Sequence, residues 1–202
     1  MIPESNNPAT YSGFCLRNKV GKSCTAACDH CDPMSRRPSQ HILPDVLAPN
    51  LRVVFCGTAA GTRSAHEGAY YAHPGNYFWR TLFEVGLTPR RLSPQEFPRV
   101  LDYGIGLTDL AKLHFGADHE LPRDAFDAAA LQRKLARCKP AIVAFTSKNA
   151  AFGYFGRVLP YGEQEARVAG SRAFVLPSPS GQARKFWDIG PWHELARLAK
   201  DR

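Results

Sequence analysis

The chain has 202 residues, 44% of them hydrophobic, enough to bury one sizeable core and carry an appendage. A formal net charge of +8 and a sequence pI near 9.4 draw it toward polyanions, whose condensed counterions basic side chains release. No apolar run approaches the length of a membrane span, and residues 1–10 lack a charged stretch followed by an apolar one, so the expectation is a cytoplasmic protein whose partner is nucleic acid.

Residues 1–41 are rich in Asn, Ser, Pro, Lys and Arg and offer few large apolar side chains, which marks an N-terminal extension rather than part of the main core. Four of the six cysteines fall here, Cys15, Cys24, Cys28 and Cys31, with His30 as a further nitrogen donor. Clustered thiols in a reducing compartment argue for metal before disulfide, and four soft ligands suit a structural zinc. The C-x3-C-x2-C spacing also fits an iron–sulfur cluster loop of radical enzymes, although the rest of the chain lacks the repeated βα pattern of such a barrel. An unliganded tail is the third reading.

The domain itself, residues 42–202, begins with a proline-marked segment at 44–49. Residues 51–56 are apolar and β-branched, the signature of a parallel strand covered on both faces. Gly57 and Gly61 then mark a loop over 57–64 that, at the carboxyl end of a strand, is a candidate ligand floor. Its glycine spacing matches neither a phosphate-binding Walker loop nor a dinucleotide fingerprint. Phe78, Trp79, Leu82 and Phe83 recur at helical spacing ahead of Gly86, and Ser93-Pro-Gln-Glu96 is a capping box opening a second helix to about Tyr103. A short strand over 104–110 ends near Thr108-Asp109, and 111–122 reads as an exposed loop. A helix is expected from about Asp124 to Arg137, a strand over 141–146, and a helix opened by Ser147 or Asn149. A hairpin-like pair follows at 166–169 and 173–176, then a loop over 177–184 and a final helix from about Pro191. Strands alternating with helices imply a mainly parallel sheet with helices on both sides. Cys56 and Cys138 read as buried apolar residues.

Five ordered blocks resemble the mismatch-specific uracil/thymine-DNA glycosylase branch of the uracil-DNA glycosylase superfamily. They are Leu47-Ala-Pro49, Leu51-Arg-Val-Val-Phe-Cys-Gly57, His73-Pro-Gly-Asn-Tyr-Phe-Trp79, Gly106-Leu-Thr108 and Leu176-Pro-Ser-Pro-Ser-Gly181. The resemblance covers residues 43 to about 200 and leaves out the cysteine-bearing extension. It implies a three-layer α/β/α sandwich with a short, mainly parallel central sheet. It also implies a monomeric, monofunctional glycosylase that flips uracil or a related damaged base out of DNA and hydrolyses its N-glycosidic bond, with no catalytic cofactor.

Carried over position by position, backbone N–H groups around Thr58 and Tyr71 resemble the family's base-recognising donors, and Tyr71 the aromatic that stacks on the flipped base. Asn76 falls in the matching block, although a helix-capping asparagine explains it equally. Residues Ser178 to Gly181 resemble the loop that wedges the duplex. Arg63, Ser64, Ser180, Gly181, Gln182, Arg184 and Lys185 are then candidate DNA contacts. Two positions depart from the pattern: Ala59 stands where the family commonly has a water-positioning Asn or Asp, and Ser178 where His or Asn often precedes proline. Alanine cannot orient water. Asp109 is the leading substitute, a carboxylate on the neighbouring strand, with His66, Glu67 and His73 as weaker candidates. The alternative is a noncatalytic damaged-DNA-binding protein that has kept the fold and lost hydrolysis.

Overall fold

The computed structural model describes residues 41–200, so Cys15, Cys24, Cys28 and Cys31, and the zinc expectation with them, lie outside the described residues. The sheet has five strands: β1 (Val53–Ala60), β2 (Ile105–Phe115), β3 (Ile142–Phe145), β4 (Gly162–Val168) and β5 (Ser171–Val175). Their order is β2-β1-β3-β5-β4, parallel throughout except for the antiparallel β4–β5 hairpin at one end.

Alternation along each strand divides the core into two layers. Val53, Phe55, Ile105, Leu107, Ile142, Ala144 and Phe174 face one side, against α2 (Phe78–Glu84), the 3₁₀ segment Pro94–Tyr103 and α5 (Gly190–Lys200). Val54, Cys56, Leu110, Val143, Phe145, Ala173 and Val175 face the other, against α3 (Ala128–Cys138) and α4 (Lys148–Phe155). The three layers expected from the sequence are therefore present.

The outer edge of β2 is also covered. Ile42 N–H donates to the Lys112 carbonyl at 2.8 Å, and Val46 and Leu107 exchange both backbone bonds at 2.9 Å. This strap satisfies backbone groups that an open edge would leave unpaired. It also carries Asp45 alongside the strand.

Several local expectations are corrected. Residues 57–64 do not form a loop: β1 runs on to Ala60, Gly61 caps a short helix, α1 (Thr62–Glu67), and Gly57 lies inside the strand. Asp109 is likewise not at a strand end, because β2 continues to Phe115 and buries Ala111 and Lys112, residues expected in an exposed loop. The register explains why the strand was hard to follow. Ala59 lies opposite Ala111 but Ala60 opposite Phe115, so Lys112 to His114 form an excursion that breaks the period-2 pattern. The capping box at Ser93 and Glu96 forms as expected, yet the helix it opens is 3₁₀, with Pro98 inside it. Helix α3 starts at Ala128, capped by the Asp127 side chain on the Ala130 N–H at 2.7 Å, rather than at Asp124.

Phe78 is the aromatic hub of the α2 layer. Its ring meets Phe55 edge-on at 5.3 Å, Trp79 at 5.1 Å and Trp192 at 6.0 Å, and stacks on Tyr71 at 3.8 Å. Phe78→Ala is expected to cost about 3–5 kcal/mol of unfolding free energy in urea denaturation. Phe186→Ala, at a side chain 61% exposed, should change it by less than about 0.5 kcal/mol.

Candidate active site

A cleft of about 1350 Å³ opens at the carboxyl end of β1. Its walls are the segment 70–76, the start of α4 and the loop 178–186, and Gly57, Thr58, Ala59 and Asp109 line it. Parity along β1 explains the floor. The Arg52 and Cys56 carbonyls accept from Ile142 and Thr146 N–H on the β3 side, so two residues further on the Thr58 backbone groups face that side too. Strand β3 has ended at Phe145, and those groups look into the cleft.

Asp109 stands opposite Gly57 in the parallel ladder. A Cβ placed on Gly57 would lie 2.5 Å from the Asp109 Oδ1 and 3.6 Å from the Tyr71 hydroxyl oxygen, so the carboxylate occupies space that only glycine leaves open. Asp109 is 5% exposed, and burial pushes its pKa up to about 6 from the ordinary 3.8. The Lys112 charge opposes that rise, Asp45 adds to it, and hydrogen bonding from the Tyr70 hydroxyl and the Lys134 charge oppose it again. A carboxyl tuned to that range is ionised at neutral pH yet basic enough to take up a proton.

Tyr71 holds φ +53°, a left-handed conformation uncommon outside glycine and often found at functional sites. One face of its ring lies on Phe78, and its hydroxyl is 3.3 Å from the Thr146 Oγ1. Burial raises its pKa well above the ordinary value, so it stays a neutral phenol.

The remaining sequence candidates sort by what already occupies them. The Asn76 Oδ1 accepts the Phe78 N–H at 2.9 Å, a local turn bond from the residue just before Tyr77, which holds the N-cap position of α2 expected for Asn76, and Asn76 also borders the cleft. The Ser178 hydroxyl accepts from Ser180 N–H at 3.3 Å and the Ser180 hydroxyl from Gln182 N–H at 3.4 Å, so both shape the turn before the 3₁₀ segment Gly181–Phe186. A Cβ on Gly181 would stand 3.1 Å from the Gly75 carbonyl oxygen, and Tyr77 N–H donates to the Pro179 carbonyl at 2.8 Å. The two loops are thus pressed together, with the Arg184 guanidinium 5.6 Å from the Tyr77 ring centre. Gln182, Arg184 and Lys185 are exposed. Ser64 is buried and its hydroxyl accepts the Ala72 N–H at 3.1 Å, which ties it to the fold rather than to a ligand. Arg63 is exposed and pairs with Glu67, which also receives Gln95 at 3.3 Å. The His73 Nδ1 accepts the Gly75 N–H at 3.0 Å, and His66 is exposed on α1.

Sequence reasoning missed a polar group beneath the floor, in which Tyr70 and Lys112 are buried and Asp45 and Lys134 half-buried. Asp45 meets Lys112 at 3.0 Å, Lys134 at 2.7 Å and the Thr108 hydroxyl at 2.7 Å. Lys112 also donates to the Tyr70 hydroxyl at 3.0 Å. The one available signal was a lysine three residues after Asp109 in a segment otherwise apolar enough to continue a strand. Among the described residues, no group of three or more His, Cys, Asp or Glu side chains is placed to hold a metal ion, and no helix is long and apolar enough to cross a membrane.

The fold resembles the solution NMR structure of a protein from Methanosarcina acetivorans provisionally assigned as a uracil DNA glycosylase. The match has a TM-score of 0.57 at 22% identity, over 79% of this chain and 95% of that one. The sequence model of the Uracil DNA glycosylase superfamily matches residues 44–200, which span every described strand and helix and all of the cleft's lining but Leu43. The chain belongs to the uracil DNA glycosylase superfamily.

Proposed function

We propose that this protein excises uracil, and related deaminated or damaged pyrimidines, from DNA by hydrolysis of the N-glycosidic bond, with Asp109 acting on the attacking water. The observation that carries this reading is a buried carboxylate on the floor of the cleft, at a point where only glycine opposite lets it fit. As the bond breaks, the sugar becomes cation-like and the departing pyrimidine anionic. A carboxylate beside the sugar stabilises the first and takes a proton from water, and N–H donors at the Thr58 end of β1 suit the second. Tyr71, backed by Phe78, offers a ring face for the extruded base. Gln182, Arg184 and Lys185 are placed on an exposed loop suited to wedge the duplex or meet phosphate. Small side chains at Ala59 and Ser178 remove the amide that would discriminate uracil, which favours a broader base range. The blocks quoted above resemble the mismatch-specific branch, which supports the same reading. DNA is the partner, the active form is a monomer, and no cofactor enters the chemistry.

A second reading, a damaged-DNA-binding protein without turnover, draws on the same two positions, since neither usual polar side chain is present. Single-turnover cleavage of uracil-containing oligonucleotides, single- and double-stranded, separates the two. Wild type should cleave, and Asp109→Asn should be slower by about 10²–10⁴-fold. Binding without cleavage on any strand form would establish the second reading. For wild type, the rate should rise with pH through a midpoint near 6 as Asp109 ionises, and the Asp109→Asn profile should lack that limb.

Gly57→Ala should lower the rate at least about 10²-fold, because its methyl would displace the carboxylate. In an Asp109→Ala background the same change should cost little more; a full additional loss would show that Gly57 acts independently of Asp109.

The raised value also sets a stability signature. Folded Asp109 binds its proton more tightly than the unfolded chain does, so its contribution to stability falls as pH rises from about 4 to about 6 and stays low above that. The penalty at neutral pH is on the order of 3 kcal/mol. Asp109→Asn should therefore be more stable than wild type above pH 6, by up to about that amount, with the gain vanishing near pH 4. Urea denaturation at several pH values checks it.

A further inference from the structure

The cleft is larger than its floor needs. At about 1350 Å³ it exceeds the roughly 300–1,000 Å³ that hold a whole drug-sized molecule, and a lone pyrimidine is smaller still. Away from Asp109 two of its walls carry exposed rings with ammonium groups beside them. On one wall Lys148 and Phe152 lie one turn apart on α4, whose buried side is formed by Ala150 and Ala151. The Lys148 ammonium stands 4.4 Å from the centre of the Tyr161 ring, and Tyr161 and Phe152 are 36% and 49% exposed. On the other wall the Lys185 ammonium stands 4.9 Å from the centre of the exposed Phe186 ring.

The acidic groups of the same cleft have local duties. The Asp118 Oδ2 accepts the Asn149 side-chain amide at 2.6 Å, which ties the 116–120 segment to α4, and the Glu120 Oε2 accepts the Ala117 N–H at 2.7 Å. Both are exposed carboxylates, so a phosphate chain is repelled from that lip and drawn toward Lys148 and Lys185. Paired DNA cannot use the rings, because each base in a duplex is already covered on both faces by its neighbours. Unpaired bases have free faces, and aromatic rings set beside cations hold a single strand without reading its sequence.

We propose that this part of the cleft is a site for single-stranded DNA flanking the extruded nucleotide: unpaired bases stack on Tyr161 and Phe186, and the Lys148 and Lys185 ammonium groups meet the neighbouring phosphates. Phe152 extends the apolar lining of the α4 wall. That the strand is DNA rests on the glycosylase reading above, while affinity for unpaired bases does not depend on turnover. The substrate class follows. A lesion in an unpaired or locally opened strand is favoured over one in an intact duplex, because only an open strand lets its flanking bases reach the rings.

Fluorescence anisotropy of a short labelled oligonucleotide without any lesion, single-stranded or annealed to its complement, is the direct test. Wild type should bind the single strand more tightly than the duplex. Tyr161→Ala and Phe186→Ala should each weaken single-strand binding by about 5- to 150-fold, the range for losing one stacked base, and leave duplex binding unchanged. Tyr161→Phe keeps the ring and should retain the wild-type affinity. Lys148→Met should lower the slope of log affinity against log salt by about 0.7, whereas neither alanine variant should change it. All of these positions are exposed, so every variant should melt close to wild type. The idea is overturned if the duplex binds as tightly as the single strand, or if either alanine variant keeps the wild-type affinity for the single strand. A loss of equal size on the duplex also overturns it, because the rings would then be wedging paired DNA. If wild type cleaves no uracil-containing strand, the glycosylase reading fails alone. Single-strand preference lost in the two alanine variants then still supports the site, and its absence removes it.

Discussion

A carboxylate taken out of water between two parallel strands imposes conditions on everything beside it. The adjacent strand must leave room, and cations must stand near enough to keep the charge tolerable. Here the first condition falls on Gly57 and the second on Lys112 and Lys134. Asp45, half-buried, pairs with both lysines and offsets their charge. The strap along the β2 edge serves this electrostatic arrangement as well as closing the sheet, because its backbone bonds at Ile42 and Val46 fix where Asp45 stands.

The apolar layers position the same point from above. Phe78 belongs to the core through Phe55 and Trp192, yet its outer contact is Tyr71, whose ring borders the cleft. The floor and the aromatic wall are thus extensions of two packed structures, the β1–β2 ladder and the α2 layer, rather than free loops. Flexible-looking sequence at 69–77 is anchored by the Trp79 indole on the Tyr70 carbonyl, by the Ala72 N–H on Ser64, and by the contact of Gly75 with Gly181. Such anchoring is what lets Tyr71 keep its left-handed backbone.

Much of the fold was legible because its signals are local. The β-branched run before Gly57, the apolar period ahead of Gly86, and the Ser93 and Glu96 box each state their element within a few residues. What failed was whatever depended on a distant partner. The strand past Asp109 was lost because Lys112 and His114 read as loop residues; one is neutralised by Asp45, 67 positions earlier, and the excursion at Ala60 hides the alternation. The supposed glycine loop was misread for a related reason. Gly57 permits a close side-chain approach from β2 rather than a turn, and no pattern within its own strand distinguishes the two uses. Asp109 itself could be named from the sequence, since a lone carboxylate after an apolar strand is conspicuous. The Lys112 contacts with Asp45 and Tyr70 could not, because tyrosine and lysine are common and nothing local ties them together.

The opposition of Gly57 and Asp109 also gives the lineage of this chain a direction in time. While the carboxylate is present, any side chain at position 57 collides with it, so drift at 57 is closed. Once position 109 becomes small, that obstacle disappears and position 57 is free to diversify. Descendants should therefore change at 109 before they change at 57, and a tree of relatives would carry the two losses in that order, a record of history written by one steric contact.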